Sequence, residues 1–376
     1  MNTKFDDIRP YTDAEIPAAM QRIANSEYLE PVCNFAFPGR DIDEIKEMIS
    51  GFTTIAEFQL KLMFFVNDRI IKNTIDHFSY SGTEYLDPKK KYLLISNHRD
   101  IMLDCSLLLQ VLQINGIPSA EITFGSNLMS SQLVIDIGRS NKMFKVVRGG
   151  NARDFYENSL HLSDYIRHAI TEKGESIWIA QRNGRTKDGN DATDQGIIKM
   201  FCMSCAQDPV RAIEELNIVP VAVSYQWEPC DMLKTKELYL SRDGAKYVKQ
   251  KDEDITSIIT GITQQKGNVH ISLCKPLEKE EYIGFAGEPA NKFYKNIANL
   301  IDERIYNSYK LWNTNYIAHD IRSGTNKYAA HYTPEEKEEF LQRFDRVLSQ
   351  IDGNKEIIGS VYLGIYANPV DKKVLL

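Results

Sequence analysis

Long apolar runs are missing from this chain. No stretch of its 376 residues approaches the ~18–20 apolar positions needed to cross a bilayer. The longest candidate, Leu60–Val66, is interrupted by Lys61 and followed at once by Asn67 and Asp68, so any lipid contact should be peripheral. Positive charge is also in deficit, with 45 Lys and Arg against 52 Asp and Glu and a formal net charge of −7. That balance excludes a general nucleic-acid binder, whose footprint is a basic surface. Cysteine is sparse, six residues scattered along the chain, which excludes a disulfide scaffold and points to reduced thiols. Cys202 and Cys205 form a lone CxxC inside an apolar helical pattern, with no second pair to complete a metal site, and read as core residues. The first residues, MNTKFDDIRPYTDAEI, are polar and acidic and lack the basic-then-apolar order of a secretory signal. The chain is therefore expected in the cytoplasm, at most peripheral on the cytoplasmic face of a membrane. Neither an internal repeat nor a low-complexity tract is present.

What is present changes character twice along the chain. Residues 1–77 read as a helical region, in which Ile55, Phe58, Leu62, Phe65, Val66, Ile70 and Ile71 recur at helical spacing. The simplest expectation is one helix packed on the core from about Thr54 to Asn73. Residues 78–285 alternate short apolar runs with helical patterns: FSYSGTEYL, KYLLISN, ITFG, MFKVV, SIWIAQ, IVPVAVSY and VHISLCKPL each read as a strand or its end. Such alternation predicts an α/β domain, a mixed and mostly parallel sheet covered by helices, with chemistry on loops at the carboxyl ends of strands. Residues 286–376 turn helical again, with Thr333, Pro334 and Glu336 as a helix-start signature. The apolar tail Ile357–Ala367 is expected to be a last strand or a docking segment.

One segment carries the strongest chemical signal. In KYLLISNHRDIMLDCSLLLQVL a buried strand stops at Asn97-His98, and a helix should begin at about Asp100. This places the imidazole at a strand-to-helix turn beside helix-start N–H groups, which favour an anion or a developing oxyanion. A histidine deprotonates an alcohol when a carboxylate holds its other ring nitrogen protonated. Asp100 and Asp104, four apart on one helical face, are both available. The plainer reading, in which Asp100 caps the helix and His98 only hydrogen-bonds in a turn, stays open at this point. His-Arg-Asp is also similar to the protein-kinase catalytic loop, but Cys105 stands where that loop has its metal-binding Asn. No Gly-rich phosphate loop precedes it and no Asp-Phe-Gly follows.

Two basic segments lie downstream. MFKVVRGGNARDFYEN ends a strand at Arg148, Gly149 and Gly150, where a guanidinium is presented with little backbone obstruction and suits a phosphate. SIWIAQRNGRTKDGND follows a strand with Arg182, Arg185 and Lys187 around Asn183 and Gly184. Each alone is equally a solvated or ion-paired turn.

Taken in order, these blocks resemble the PlsC-like phospholipid and glycerol acyltransferases (1-acylglycerol-3-phosphate and glycerol-3-phosphate acyltransferases). That family has Asn-His and a following Asp after a strand, an arginine at a strand end, a Gly-x-Arg-type loop and a Val-Pro strand. Here they correspond to Asn97-His98 and Asp104, Arg148, Gly184-Arg185 and Val219-Pro220. Two departures are plain. Five residues separate His98 from Asp104 where the family has four, and Asn183 or Arg182 stands where its loop has glutamate. The resemblance covers about residues 78–280. It implies transfer of a fatty acyl group from acyl-CoA or acyl carrier protein to a hydroxyl of a glycerol phosphate or lysophospholipid, an O-acyltransferase of lipid metabolism and phospholipid biosynthesis. His98 would be the general base, with Asp104 first and Asp100 in reserve as its partner. Asn97, Arg99, Arg148, Gly149, Gly184, Arg185 and Lys187 would bind substrate, and neither a metal nor a resident cofactor is implied. Two alternatives accompany it: a lipid- or acyl-carrier-binding protein of the same fold without full catalysis, and an O-acyltransferase for a lyso lipid without phosphate.

Overall fold

A computed structural model describes residues 4–242, 247–250 and 252–374. Its centre is a seven-stranded sheet of β1 (His77–Ser81), β2 (Leu93–Ser96), β3 (Ala120–Gly125), β4 (Met143–Val146), β5 (Ser176–Ala180), β6 (Ile218–Tyr225) and β7 (Asn268–Leu273). The spatial order is β1-β7-β6-β2-β5-β3-β4, and every neighbouring pair is parallel except β6 with β7. The α/β class and the mostly parallel sheet follow from the chemistry of the strands. Leu93, Ile95, Ile177 and Ile179 bury one face while Leu94, Trp178, Val219 and Val221 bury the other, the near-continuous apolar run of a sheet covered on both sides. Helices Ala152–His168, Gln195–Met203 and Ala290–Ser308 cover the first face, and Leu103–Ile114 the second.

The register aligns the strand ends on one side of the sheet. Ser96 at the end of β2 lies level with Ala180 of β5 and Val221 of β6. All three strands run the same way, so their carboxyl ends open side by side, and β6 continues to Tyr225, past the point where β2 stops.

The flanking helices differ from expectation in two places. The helix from Ile55 to Thr74 contains a π turn over Gln59–Met63, and the extra residue there rotates the apolar stripe. Phe58, Leu62 and Ile70 remain in the core while Phe65 is turned outward, 54% exposed. The tail is a helix, Lys355–Val374, rather than a strand. Ile358, Tyr362 and Tyr366 pack at helical spacing against Phe340 and Trp227, and the sides are so evenly apolar that periodicity gave no face to read. The Thr333 cap is as expected, its hydroxyl accepting from the Glu336 N–H at 3.2 Å while Glu336 accepts from the Thr333 N–H at 2.8 Å. Cys202 and Cys205 are both core residues.

Candidate active site

The chain leaves β2 at Ser96, makes a turn through Asn97, His98, Arg99 and Asp100, and enters the Leu103–Ile114 helix. The helix therefore starts later than its acidic residues suggest, because Asp100 stands outside it as a cap. Asp100 Oδ1 accepts from the N–H groups of Met102 and Leu103, both at 2.9 Å. Asp104, one turn on, reaches back. Its Oδ2 lies 2.9 Å from His98 Nδ1 and accepts from the N–H groups of Arg99 at 2.6 Å and Asp100 at 2.9 Å. Its Oδ1 accepts from the Tyr225 hydroxyl at 2.8 Å. The extra residue between His98 and Asp104 is thus taken up in the turn, and the two side chains still meet.

The pair is asymmetric in exposure: the His98 side chain is 15% exposed and that of Asp104 is 0% exposed. An anionic carboxylate so placed must be hydrogen-bonded, and its four donors meet that need. Accepting from Nδ1–H fixes the neutral tautomer with a lone pair on Nε2, and Nε2 has no hydrogen-bond partner among the described residues. The edge of the imidazole rests on Trp178, ring centroids 5.7 Å apart at 73°. Burial first, and then the charge of Asp104, holds the Tyr225 phenol well above its ordinary pKa, so it serves as a donor throughout the working range. Helix-start amides are a different matter. Of the five N–H groups from Arg99 to Leu103, four are held by Asp100 and Asp104 and are not free for an oxyanion.

Behind the turn is a buried polar network. Arg99 donates to Asp191 Oδ2 from Nε at 3.0 Å and Nη2 at 2.7 Å, and to Glu228 Oε2 from Nη1 at 3.1 Å. Burial alone would lower its pKa, but Asp191 and Glu228 outweigh that and hold it well above the usual value. For Asp191, burial works upward, but Arg99, Thr186 and Tyr309 together outweigh it and leave the carboxyl below its ordinary value. Lys234 donates to the Arg99 carbonyl and to Glu228 Oε1, both at 2.6 Å. Asn97 ties the turn to β6, accepting from Val223 N–H at 2.8 Å and donating to the Val223 carbonyl at 3.0 Å. Arg99 and Asn97 are therefore braces. A cavity of about 20 Å³ beside Arg99, lined also by Tyr225, Glu228 and Tyr309, has room for about one water molecule and none for a substrate.

The other sequence candidates divide. Thr186 N–H donates to the His98 carbonyl at 2.7 Å, which brings the loop after β5 to the turn. Gly184 makes its bend at φ +77°, a conformation that favours glycine. Arg185 on this loop is half-buried, with Nη1 buried and without a partner among the described residues. Lys187 is ion-paired with Glu237 of the Asp231–Leu240 helix. Arg148, at the end of β4, is exposed and folds its guanidinium over the end of β3, where a Cβ on Gly125 would stand 3.1 Å from its Nε; Gly149 beside it has φ +92°.

No family model matches this chain, and no curated protein matches it by sequence. Among solved structures it is similar to the 1-acyl-sn-glycerophosphate acyltransferase PlsC from Thermotoga maritima, at 14% identity and a TM-score of 0.37, over 77% of this chain and 94% of that one. A likeness that distant does not make the chain a member of that family.

Four side chains of the site were not singled out by sequence: Tyr225, Asp191, Glu228 and Lys234. Tyr225 ends a strand on the side of the sheet where chemistry is expected, a usable signal. Asp191, Glu228 and Lys234 meet Arg99 only through the fold, from 92 to 135 residues away along the chain.

Proposed function

We propose that this protein transfers a fatty acyl group from a thioester, acyl-CoA or acyl carrier protein, to a hydroxyl of a glycerol phosphate or lysophospholipid. The observation that carries the proposal is the His98–Asp104 pair at the carboxyl end of β2, 2.9 Å apart with the acid buried and the imidazole open at Nε2. His98 Nε2 takes the hydroxyl proton as the oxygen attacks the thioester carbonyl, and Asp104 stabilises the imidazolium. The tetrahedral intermediate collapses with cleavage of the C–S bond, and the proton passes from Nε2 to the departing sulfur. This balance consumes nothing beyond the two substrates.

The acceptor phosphate is assigned to Arg185 and Arg148. Arg185 has an unpartnered buried N–H on a loop bonded to the His98 backbone. Arg148 starts three strands from β2, roughly 14 Å at the ~4.8 Å strand spacing, and is folded inward over β3. Lys187 is engaged with Glu237 and is assigned to holding the loop rather than the phosphate. With amides of the turn occupied, the oxyanion must draw on other donors, and the same guanidinium groups are candidates.

The test is a panel of lysophospholipids, glycerol phosphate and neutral lyso lipids, offered to the purified protein with long-chain acyl-CoA or acyl carrier protein. New lipids are read by mass spectrometry. The expected result is an acylated product from phosphate-bearing acceptors. Product only from neutral acceptors would overturn the phosphate assignment, and none from any would overturn the transferase reading.

A further inference from the structure

Asp104 has two oxygens with separate duties. Oδ2 receives His98 Nδ1–H and two backbone N–H groups, all supplied by the turn itself. Among the described residues Oδ1 receives a single donor, the Tyr225 hydroxyl, from a strand 121 residues further along the chain. Asp104 is fully buried and Tyr225 is 5% exposed, so that oxygen is shielded from bulk water. Removing the phenol would leave a buried carboxylate oxygen bare.

We propose that Tyr225 is a positioning residue that sets the proton affinity of His98 by drawing negative charge onto Asp104 Oδ1 and away from the imidazole. The inference rests on His98 acting as the base, but its physical content concerns only the triad of side chains. A carboxylate that shares its charge among more donors stabilises an adjacent imidazolium less. Tyr225 therefore weakens the pull of Asp104 on the proton that His98 Nε2 accepts. The fold supports this division. β6 runs on past the end of β2, which carries Tyr225 over the turn to Asp104, and the hydrogen bonds between Asn97 and Val223, at 2.8 Å and 3.0 Å, fix that overhang. Other charged or ionisable groups near the triad are Asp100 and Glu228, which act on the phenol after Asp104, the Cys105 thiol, pushed up to about 12 by burial, and the Arg99 guanidinium, which lines the same small cavity as Tyr225 and is clasped by Asp191 and Glu228. Asp100 and Glu228 both oppose loss of the phenolic proton, and the charge of Arg99 is met by its own two carboxylates, so the phenol stays the donor.

Two variants test this through the titration of His98, followed by NMR of nitrogen-labelled imidazole and needing no substrate. Tyr225→Phe removes the donor and should raise the His98 pKa by about one unit. A fluorotyrosine incorporated at position 225, a stronger donor of the same shape, should lower it. If the Phe variant fails to fold, the fluorotyrosine arm decides alone. An unmoved His98 in the fluorotyrosine protein, or shifts of the same sign in both, would overturn the role of Tyr225 and leave the acyl-transfer proposal standing. Loss of the acyl-transfer proposal would come instead from the turnover panel. In activity, Tyr225→Phe should shift the acid limb of the kcat/KM profile upward by the same unit, about a tenfold loss at pH values below it. An unshifted limb with uniformly reduced rate would mark a merely structural residue.

Discussion

The turn after β2 and the loop after β5 leave neighbouring strands at the same level of the sheet, Ser96 opposite Ala180, yet their side chains are held in opposite ways. In the turn, Asp104 binds four donors, Asp100 caps the helix, and Arg99 is clasped by Asp191 and Glu228. In the loop, Arg185 Nη1 and both amide atoms of Gln181 are buried with no partner among the described residues. Asp100 Oδ2 in the turn is also buried without a partner among the described residues, and Asp191 belongs to the loop, so the difference lies between a base whose carboxylate is fully bonded and a loop cation, Arg185, with one N–H left over. A rigid base and an incomplete cation are what a transfer reaction needs from two adjacent loops, since orientation of the base serves catalysis and an unmatched charge serves recognition.

The largest expected effect of breaking that contrast is on stability. Arg99→Ala would leave Asp191 without its guanidinium in a buried site, and removing one partner of a buried ion pair costs about 3–5 kcal/mol. Chemical denaturation should show a loss of that size, and a loss below about 1 kcal/mol would mean the turn is not braced as described. Next comes the loop. Arg185→Ala should raise KM for a phosphate-bearing acceptor by roughly tenfold or more, the worth of one charge-assisted hydrogen bond, with kcat little changed. Lys187→Ala, which loses only its contact with Glu237, should leave KM within about twofold, because a partly exposed ion pair contributes little. Equal effects from the two substitutions would erase the distinction between them.

The smallest effect concerns how the loop is anchored. Thr193, at its far end, donates to Asp302 Oδ1 from N–H at 2.8 Å and from its hydroxyl at 2.6 Å. Burial pushes the Asp302 carboxyl up to about 6, Thr193 opposing. A carboxyl that binds its proton more tightly folded than unfolded makes stability fall as pH rises from ~4, its unfolded value, to about 6. Asp302→Asn should remove that fall. Its melting temperature should match wild type near pH 4 and exceed it by a growing margin up to pH 7, and a constant difference would contradict the assignment.

How much of the molecule was legible in its sequence differs between fold and site. The inner strands announced themselves as short apolar runs, since burial on both faces demands it, whereas β1, HFSYS, is a largely exposed edge strand with a weaker signal. The antiparallel return of β7 had no such mark, because pairing direction is a property of the connections. The π turn at Gln59–Met63 and the helical tail from Lys355 were illegible for a related reason: both shift or blur the period on which helix reading depends. At the site, Asn97, His98 and Asp104 were near neighbours in sequence and could be paired on paper. Arg99 looked like a ligand-binding cation because its partners, Asp191 and Glu228, are brought to it only by the fold. Lys187 likewise meets its ion-pair partner, Glu237, only through the fold.

The central claim is that His98 is the base. The most direct test is the rate of acyl transfer by His98→Ala beside wild type, on the acceptor found active, with circular dichroism and acceptor binding as controls of fold and recognition. The account predicts a loss of roughly 10²–10⁴-fold, the range for a positioned proton acceptor, with fold and binding retained. A variant that transfers acyl groups at the wild-type rate would contradict it.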